Sequence, residues 1–245
     1  MARYKLLIEY HGGAYQGWMR LPGKPTVQGA LEEAAAALDG GPVEIYGAGR
    51  TDSGVHAMGQ VAHCDFAVDR PGKVADALNA HLRPHPIAVL KAEKVGEDFH
   101  ARFSAKARHY RFVIINRRAD LTVERGLAWR ISPKLDARKM HDAAQGLLGT
   151  HDFTTFRDVE CQARSPVKTL DRFDIARYGD RIECTLSAQS FLHRQVRSMV
   201  GSLVEVGRGK RDAAWLLDIL AAADRTACGP VSPPDGLFLE KVDYD

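Results

Sequence analysis

The apolar residues of this chain alternate between two spacings in a fixed order, and that order restricts the folds open to it. Through residues 4–10 every second residue is apolar, the spacing of a strand with one buried face. Gly12-Gly13 breaks that pattern. Thr26 then stands where a helix N-cap belongs, and Val27, Leu31, Ala34 and Leu38 fall on one helical face. Gly40-Gly41-Pro42 stops the helix. Residues 43–46 read as a short strand leading into a glycine-rich turn, and residues 60–66 as its return. Pro71-Gly72 opens a second helix with Val74, Leu78 and Leu82 inward, and residues 87–95 read as a strand. The order is β-α-β-β-α-β.

The second half repeats this rhythm. Residues 109–115 predict a strand, and Asp136 caps a helix carrying Met140, Ala143, Ala144 and Leu147 on one face. Residues 167–177 and 181–187 predict paired strands joined at Gly179-Asp180. A helix with Val196, Met199, Val200 and Leu203 in one stripe follows. Asp212 caps another over residues 213–223. After Ser232-Pro233-Pro234, residues 237–242 predict a last strand. The fold class expected is α+β: two ferredoxin-like subdomains with mainly antiparallel sheets joined around a central cleft, over residues 1–105 and 106–245. No flexible linker marks the boundary, so a sheet continuous through both halves is expected. Clefts at such junctions are common ligand sites.

A chain of 245 residues can bury a sizeable core. No run approaches 18 apolar residues, so no membrane helix is expected. The N-terminus runs straight into a strand pattern with no signal-peptide h-region, which argues against export and for a cytoplasmic protein. The four cysteines, Cys64, Cys161, Cys184 and Cys228, are scattered and read as reduced thiols. His63-Cys64 with His56 hints at a metal, but no further ligand stands at usable spacing, so no metal is expected. The net charge is only +3, yet the cations cluster. Arg102, Lys106, Arg108, Arg111, Arg117 and Arg118 lie in one acid-free stretch. His193, Arg194, Arg197, Arg208, Lys210 and Arg211 form a second group with only Glu205 against them. Such surfaces neutralise phosphates and point to a nucleic acid, although solvated strand and helix faces look the same in sequence.

The densest chemistry lies in Gly47-Ala48-Gly49-Arg50-Thr51-Asp52-Ser53-Gly54-Val55-His56-Ala57. Glycines there permit unusual backbone conformations and close approach by another chain. The loop holds one arginine, one carboxylate, two hydroxyls and one imidazole. Taken alone it reads equally as a reactive loop and as a tight turn in which Asp52 satisfies backbone amides. It is no dinucleotide or phosphate loop, because the third glycine and the Gly-Lys-Ser/Thr are absent.

Gly49-Arg50-Thr51-Asp52-Ser53-Gly54-Val55-His56-Ala57 resembles the signature of the TruA-type tRNA pseudouridine synthases. Tyr15-Gln16-Gly17-Trp18 with Thr26-Val27-Gln28 resembles that family's N-terminal motif, and Phe99-His100-Ala101-Arg102-Phe103-Ser104 running to Tyr110 its second. Asp152-Phe153-Thr154-Thr155-Phe156, Cys161-Gln162-Ala163-Arg164-Ser165-Pro166 and the segment from Ser190 to Gly201 also match, as does Pro233-Pro234-Asp235-Gly236-Leu237. The set spans nearly the whole chain in order. Met19, the segment Leu82-Arg83-Pro84-His85-Pro86-Ile87 and Gln195 depart from the family pattern, none at a residue expected to do chemistry.

The resemblance implies an isomerase that converts uridine to pseudouridine at tRNA positions 38, 39 and 40 in the anticodon stem-loop, working as a homodimer. The reaction breaks N1–C1′ of uridine and rejoins the ring through C5, so no redox cofactor or group donor is required. The resemblance assigns the catalytic carboxylate to Asp52. That group could attack C1′ as a nucleophile or remove the 2′ proton as a base, and the sequence leaves both routes open. Arg50 is implied to pair with this carboxylate or with the phosphate beside the target. Tyr110 is implied to stack on the extruded uracil, Arg197 to contact the carboxylate or a phosphate, and Leu237 to line the uracil pocket. His56 reads as a fixer of the loop by hydrogen bonding. The alternatives are a synthase of the same fold with another RNA target, a non-catalytic RNA-binding protein and a metal-dependent hydrolase. The presence of Asp52 disfavours the second of these, and the scattered His and Cys disfavour the third.

Overall fold

The computed structural model describes residues 1–70 and 72–244; Pro71, expected to help open the second helix, lies outside them. In chain order the elements are β1 (Ala2–Tyr10), α1 (Val27–Asp39), β2 (Tyr46–Gly47), β3 (His56–Phe66), α2 (Val74–Leu82), β4 (Ile87–Lys94) and β5 (Ala107–Ile115). There follow β6 (Trp129–Arg130), α3 (Ala137–Ala144), β7 (Gly149–Asp152), β8 (Val167–Tyr178), β9 (Arg181–Ala188), α4 (Gln195–Gly207), α5 (Ala213–Ala222) and β10 (Leu237–Asp243). The chain divides into two compact units, Met1–Lys106 with Phe238–Asp245, and Ala107–Leu237. The α+β class expected from the two spacings is the one adopted.

In the first unit β1 lies between β4 and β3, antiparallel to both. The far edge of β3 is shared. β2 pairs with it antiparallel at Tyr46↔His63 and Gly47↔Ala62. β10 runs parallel to it at Phe238↔His56 and Leu239↔Ala57. The order β4-β1-β3-β2 within β-α-β-β-α-β is the ferredoxin-like arrangement. Tyr4, Leu6, Ile8 and Tyr10 of β1 are buried in the core, as the alternation predicts. Thr26 caps α1 by accepting from the Gly29 amide at 3.2 Å, and Gly40 ends it in the left-handed region at φ +83. β3 begins at His56, four residues before the alternation suggests. Its first residues carry exposed, apolar Met58 followed by Gly59, which break the period-2 pattern there.

His63 illustrates the cost of placing an imidazole in that strand. Its Nδ1 accepts from the Ala101 amide at 3.2 Å, and the residue is 3% exposed. Burial first, then the charges of His100 and Arg3, push its pKa down to about 4 from 6.5. The unfolded chain therefore binds this proton near pH 6.5 and the folded chain only near 4. The stability contributed by neutral His63 is full above pH 6.5 and is lost as pH falls toward 4. The urea midpoint should fall between pH 7.5 and pH 5, and by less in His63→Gln; equal falls would show that other groups cause it.

In the second unit β5, β9, β8 and β7 form an antiparallel series, with β6 parallel to β5 at Ile114↔Trp129 and Ile115↔Arg130. α3 packs against β8 and α4. Asp136 caps α3 through the Lys139 amide at 3.0 Å, and Asp212 caps α5 through the Trp215 amide at 2.8 Å. Val196, Met199, Val200 and Leu203 of α4 are buried, as their stripe predicts. The short β6 and β7 have two and four residues, too few for a spacing signal. No helix among the described residues is long and apolar enough to cross a membrane.

Candidate functional site

Residues 48–55 connect β2 to β3 and are tied down along their length. The Ala48 amide donates to the Val61 carbonyl at 2.7 Å. The Gln60 side chain, fully buried, donates to the Gly49 carbonyl at 2.9 Å. The Tyr10 hydroxyl meets the Thr51 hydroxyl at 2.8 Å, and the Trp18 amide donates to the Thr51 carbonyl at 3.0 Å. The Ser53 hydroxyl and the Gly54 amide both donate to the Tyr15 carbonyl, each at 3.3 Å. Burial pushes the Tyr10 hydroxyl up to about 12, with its bonds to Thr51 and Gln60 opposing the shift, so at neutral pH it stays protonated.

Asp52 opens a tight turn: its carbonyl accepts from the Val55 amide at 3.1 Å, and Gly54 at the third position has φ +81. Glycine meets a steric demand from below as well. A Cβ on Gly17, whose φ is +94, would lie 2.7 Å from the Thr51 carbonyl oxygen. Asp52 itself is half-buried, while Arg50 is exposed. His56 follows the loop; its Nδ1 accepts from the Gly12 amide at 3.0 Å, and its ring stacks on Phe238 at 4.8 Å.

The other expected residues belong to the second unit. Tyr110 lies on β5, half-buried, with the Phe191 ring edge-on at 5.2 Å. Arg197 lies on the first turns of α4. Its Nε donates to the Ser232 carbonyl at 2.9 Å, and its own carbonyl accepts from the Ser232 amide at 3.1 Å. This strap hugs α4, because a Cβ on Gly201 would sit 1.7 Å from the Pro230 carbonyl oxygen. It then reaches β5, where a Cβ on Gly236 would meet the Val113 carbonyl oxygen at 2.5 Å, and ends on buried Leu237. The strap thus ties Arg197 and Leu237 to the strand that carries Tyr110. Arg50 and Asp52 share one loop of the first unit. Sequence reasoning gave no role to Tyr10, Gln60, Trp18 or Ser232. Only Trp18 had any signal, as part of the Tyr15-Gln16-Gly17-Trp18 motif.

The basic clusters are partly consumed internally. Arg108 is buried and donates to the Gln189 carbonyl at 2.5 Å, and Arg111 pairs with Glu183 at 3.6 Å. Arg194 pairs with Asp158 at 2.9 Å, and Arg208 and Lys210 both reach Glu205. Arg102, Lys106 and Arg118 remain on the surface. Among the described residues no group of three or more His, Cys, Asp or Glu side chains is placed to hold a metal ion. Burial raises the Cys64 and Cys184 thiols to about 12, which keeps both protonated and unreactive at neutral pH.

A family model described as tRNA pseudouridine synthase matches residues 6–104 and 143–245. A protein of Hyphomonas neptunium named tRNA pseudouridine synthase A is 75% identical over 244 residues, covering 100% of this chain and 99% of that one. Proteins of the same name from Maricaulis maris and Bradyrhizobium sp. are each 60% identical over 245 residues, covering 100% of this chain and 98% and 100% of theirs.

Proposed function

Because the chain belongs to the tRNA pseudouridine synthase family, we propose that it isomerises uridines of the anticodon stem-loop, at tRNA positions 38, 39 and 40, with Asp52 as the essential carboxylate. It is an isomerase that makes pseudouridine in tRNA. The observation that carries the finer reading is the holding of the Asp52 loop. Its backbone is bonded to Tyr15, Trp18, Gln60 and Val61, and its Thr51 hydroxyl to Tyr10. A preorganised carboxylate costs little reorganisation when the substrate arrives.

The bond changes set what the residues must do. N1–C1′ breaks, the uracil turns, C5–C1′ forms, the proton on C5 leaves to solvent and N1 regains one. Asp52 either bonds to C1′ during this interval or removes the 2′ proton. A kinetic isotope effect from 2′-deuterated uridine separates these routes. Arg50 holds the phosphate beside the target or the carboxylate. Tyr110 stacks on the extruded uracil, Arg197 supplies a second cation, and Leu237 gives the ring an apolar wall. The atoms balance without a donor, so the reading requires no cofactor. It also has the protein in the cytoplasm as a homodimer.

Mapping pseudouridine in bulk tRNA incubated with the purified protein tests the target. New pseudouridine should appear at positions 38, 39 and 40. Modification confined to sites outside the anticodon arm would replace this reading with that of a synthase for another RNA element.

A further inference from the structure

In the first unit, six rings run together outside the Asp52 loop: Tyr46 and His63 on β2 and β3, Phe99, His100 and Phe103 in the segment between β4 and β5, and Tyr244 just after β10. Tyr46 stacks on His63 at 5.1 Å and 20°, His63 meets His100 at 4.6 Å, and His100 meets Phe103 at 4.4 Å. Phe99 joins from the side, 6.2 Å from His63 and 5.0 Å from Tyr244. The ridge is not sealed. Phe103 is 76% exposed and Tyr46 46%. An exposed phenyl gains nothing from burial, and aromatic side chains in such positions are a mark of binding surfaces.

Cations sit over the same rings. The Lys5 ammonium lies 4.6 Å from the Tyr244 centroid and 5.6 Å from that of Phe99, and the Arg102 guanidinium lies 5.6 Å from that of Phe103. The turn that presents Phe103 is fixed by the backbone. The Arg102 and Phe103 amides donate to His100 Nδ1 at 3.1 and 3.4 Å. The Ser104 amide donates to the His100 carbonyl at 2.9 Å, and the Tyr244 hydroxyl to the Ala101 carbonyl at 2.7 Å. The Phe103 ring is thus held out on a fixed turn, so ordering it costs a partner little entropy.

We infer that this ridge is a second RNA-binding surface, on which an unpaired base of the tRNA stacks against Phe103 while Lys5 and Arg102 meet the adjoining phosphates. Exposed rings flanked by cations suit nucleotides, because every base offers a π-face and every linkage a negative charge. The ridge starts at Tyr46, in the strand that leads directly into the loop carrying Asp52. One end of a bound tRNA could therefore be gripped here while the target uridine is processed from that loop. The inference rests on tRNA being the substrate, and wild-type binding and turnover test that separately.

The experiment compares the wild-type chain with Phe103→Ala, Phe103→Trp and Arg102→Gln. The measurements are tRNA affinity across a salt series, single-turnover tritium release from 5-tritiated uridine at saturating tRNA, and mass by sedimentation. Phe103→Ala should bind about 5- to 100-fold more weakly, since one stacked base carries a factor of that order. Phe103→Trp should restore binding, and saturated turnover should stay at the wild-type rate in both. Arg102→Gln should lower the slope of log affinity against log salt by about 1. Unchanged affinity in Phe103→Ala overturns the inference. So does a change of mass in that variant with affinity per assembled protein retained, because the ridge would then be a contact between copies of the chain.

Discussion

Asp52→Ala should release no tritium from 5-tritiated uridine in tRNA above about one part in 10³ of the wild-type rate, while tRNA affinity stays within a factor of about two. The first half follows from chemistry: Asp52 is the one carboxylate in the loop between β2 and β3. Without it neither the C1′ route nor the 2′ route has its reagent. The second half follows from geometry. The loop is held by backbone groups and by Tyr10, Gln60, Trp18 and Tyr15, none of which the substitution touches. Binding should therefore survive. Asp52→Asn keeps the shape and removes the charge, so it should be equally inactive. Wild-type-like release by either variant would move the catalytic role elsewhere; loss of tRNA affinity in both would make Asp52 a binding residue.

Gly17→Ala should have the second-largest effect, through position alone. Gly17 has φ +94, and its added Cβ would stand 2.7 Å from the Thr51 carbonyl oxygen and 3.2 Å from both the Asp52 carbonyl carbon and the Ser53 nitrogen. These are backbone atoms, so the whole segment bearing Asp52 must shift. Overpacking of this kind together with the strained φ costs about 2–4 kcal/mol of stability. A displacement of about 1 Å at a reacting group can cost on the order of 100-fold in rate. The comparison is Gly23→Ala, where φ is also positive, +67, but nothing lies within 4 Å of the added Cβ. That variant should lose about 1 kcal/mol and keep its rate. Urea unfolding and single-turnover kinetics on both variants check this. Equal rates in the two would show that Gly17 serves stability and not the placement of Asp52.

Local signals carried most of the architecture. Thr26, Asp136 and Asp212 each cap the helix their positions announce, because a cap is a bond between residues three apart. The apolar stripes of α2 and α4 are buried for the same local reason, as is that of α1 except for half-buried Leu38. The alternation in β1 held, whereas β3 began earlier than expected because exposed, apolar Met58 and Gly59 break the pattern at its start. The site was legible as a motif and not as a mechanism of support. Residues 41 and 50 positions apart in sequence, as Thr51 and Gln60 are from Tyr10, meet only after folding, and no spacing rule relates them. The cation runs pointed to a nucleic acid, as the family does, but not to which cations are paired within the chain. Arg108 is buried against the Gln189 carbonyl and Arg208 pairs with Glu205, while Arg194 pairs with Asp158 and stays exposed.

The shared edge of β3 bears on how the protein is made. The strand that follows the Asp52 loop gains its parallel neighbour from Phe238 and Leu239, close to the C-terminal end of the sequence. Until Phe238 and Leu239 are in place, β2 covers only the His63 end of that edge, and the strand beside His56 and Ala57 lacks its parallel neighbour. A chain cut before residue 238 lacks the Phe238 ring that stacks on His56 beside the loop and leaves that part of the β3 edge open to other strands. Closure of β3 beside the Asp52 loop therefore waits on a contact between residues far apart in the sequence, which places it among the late events of folding.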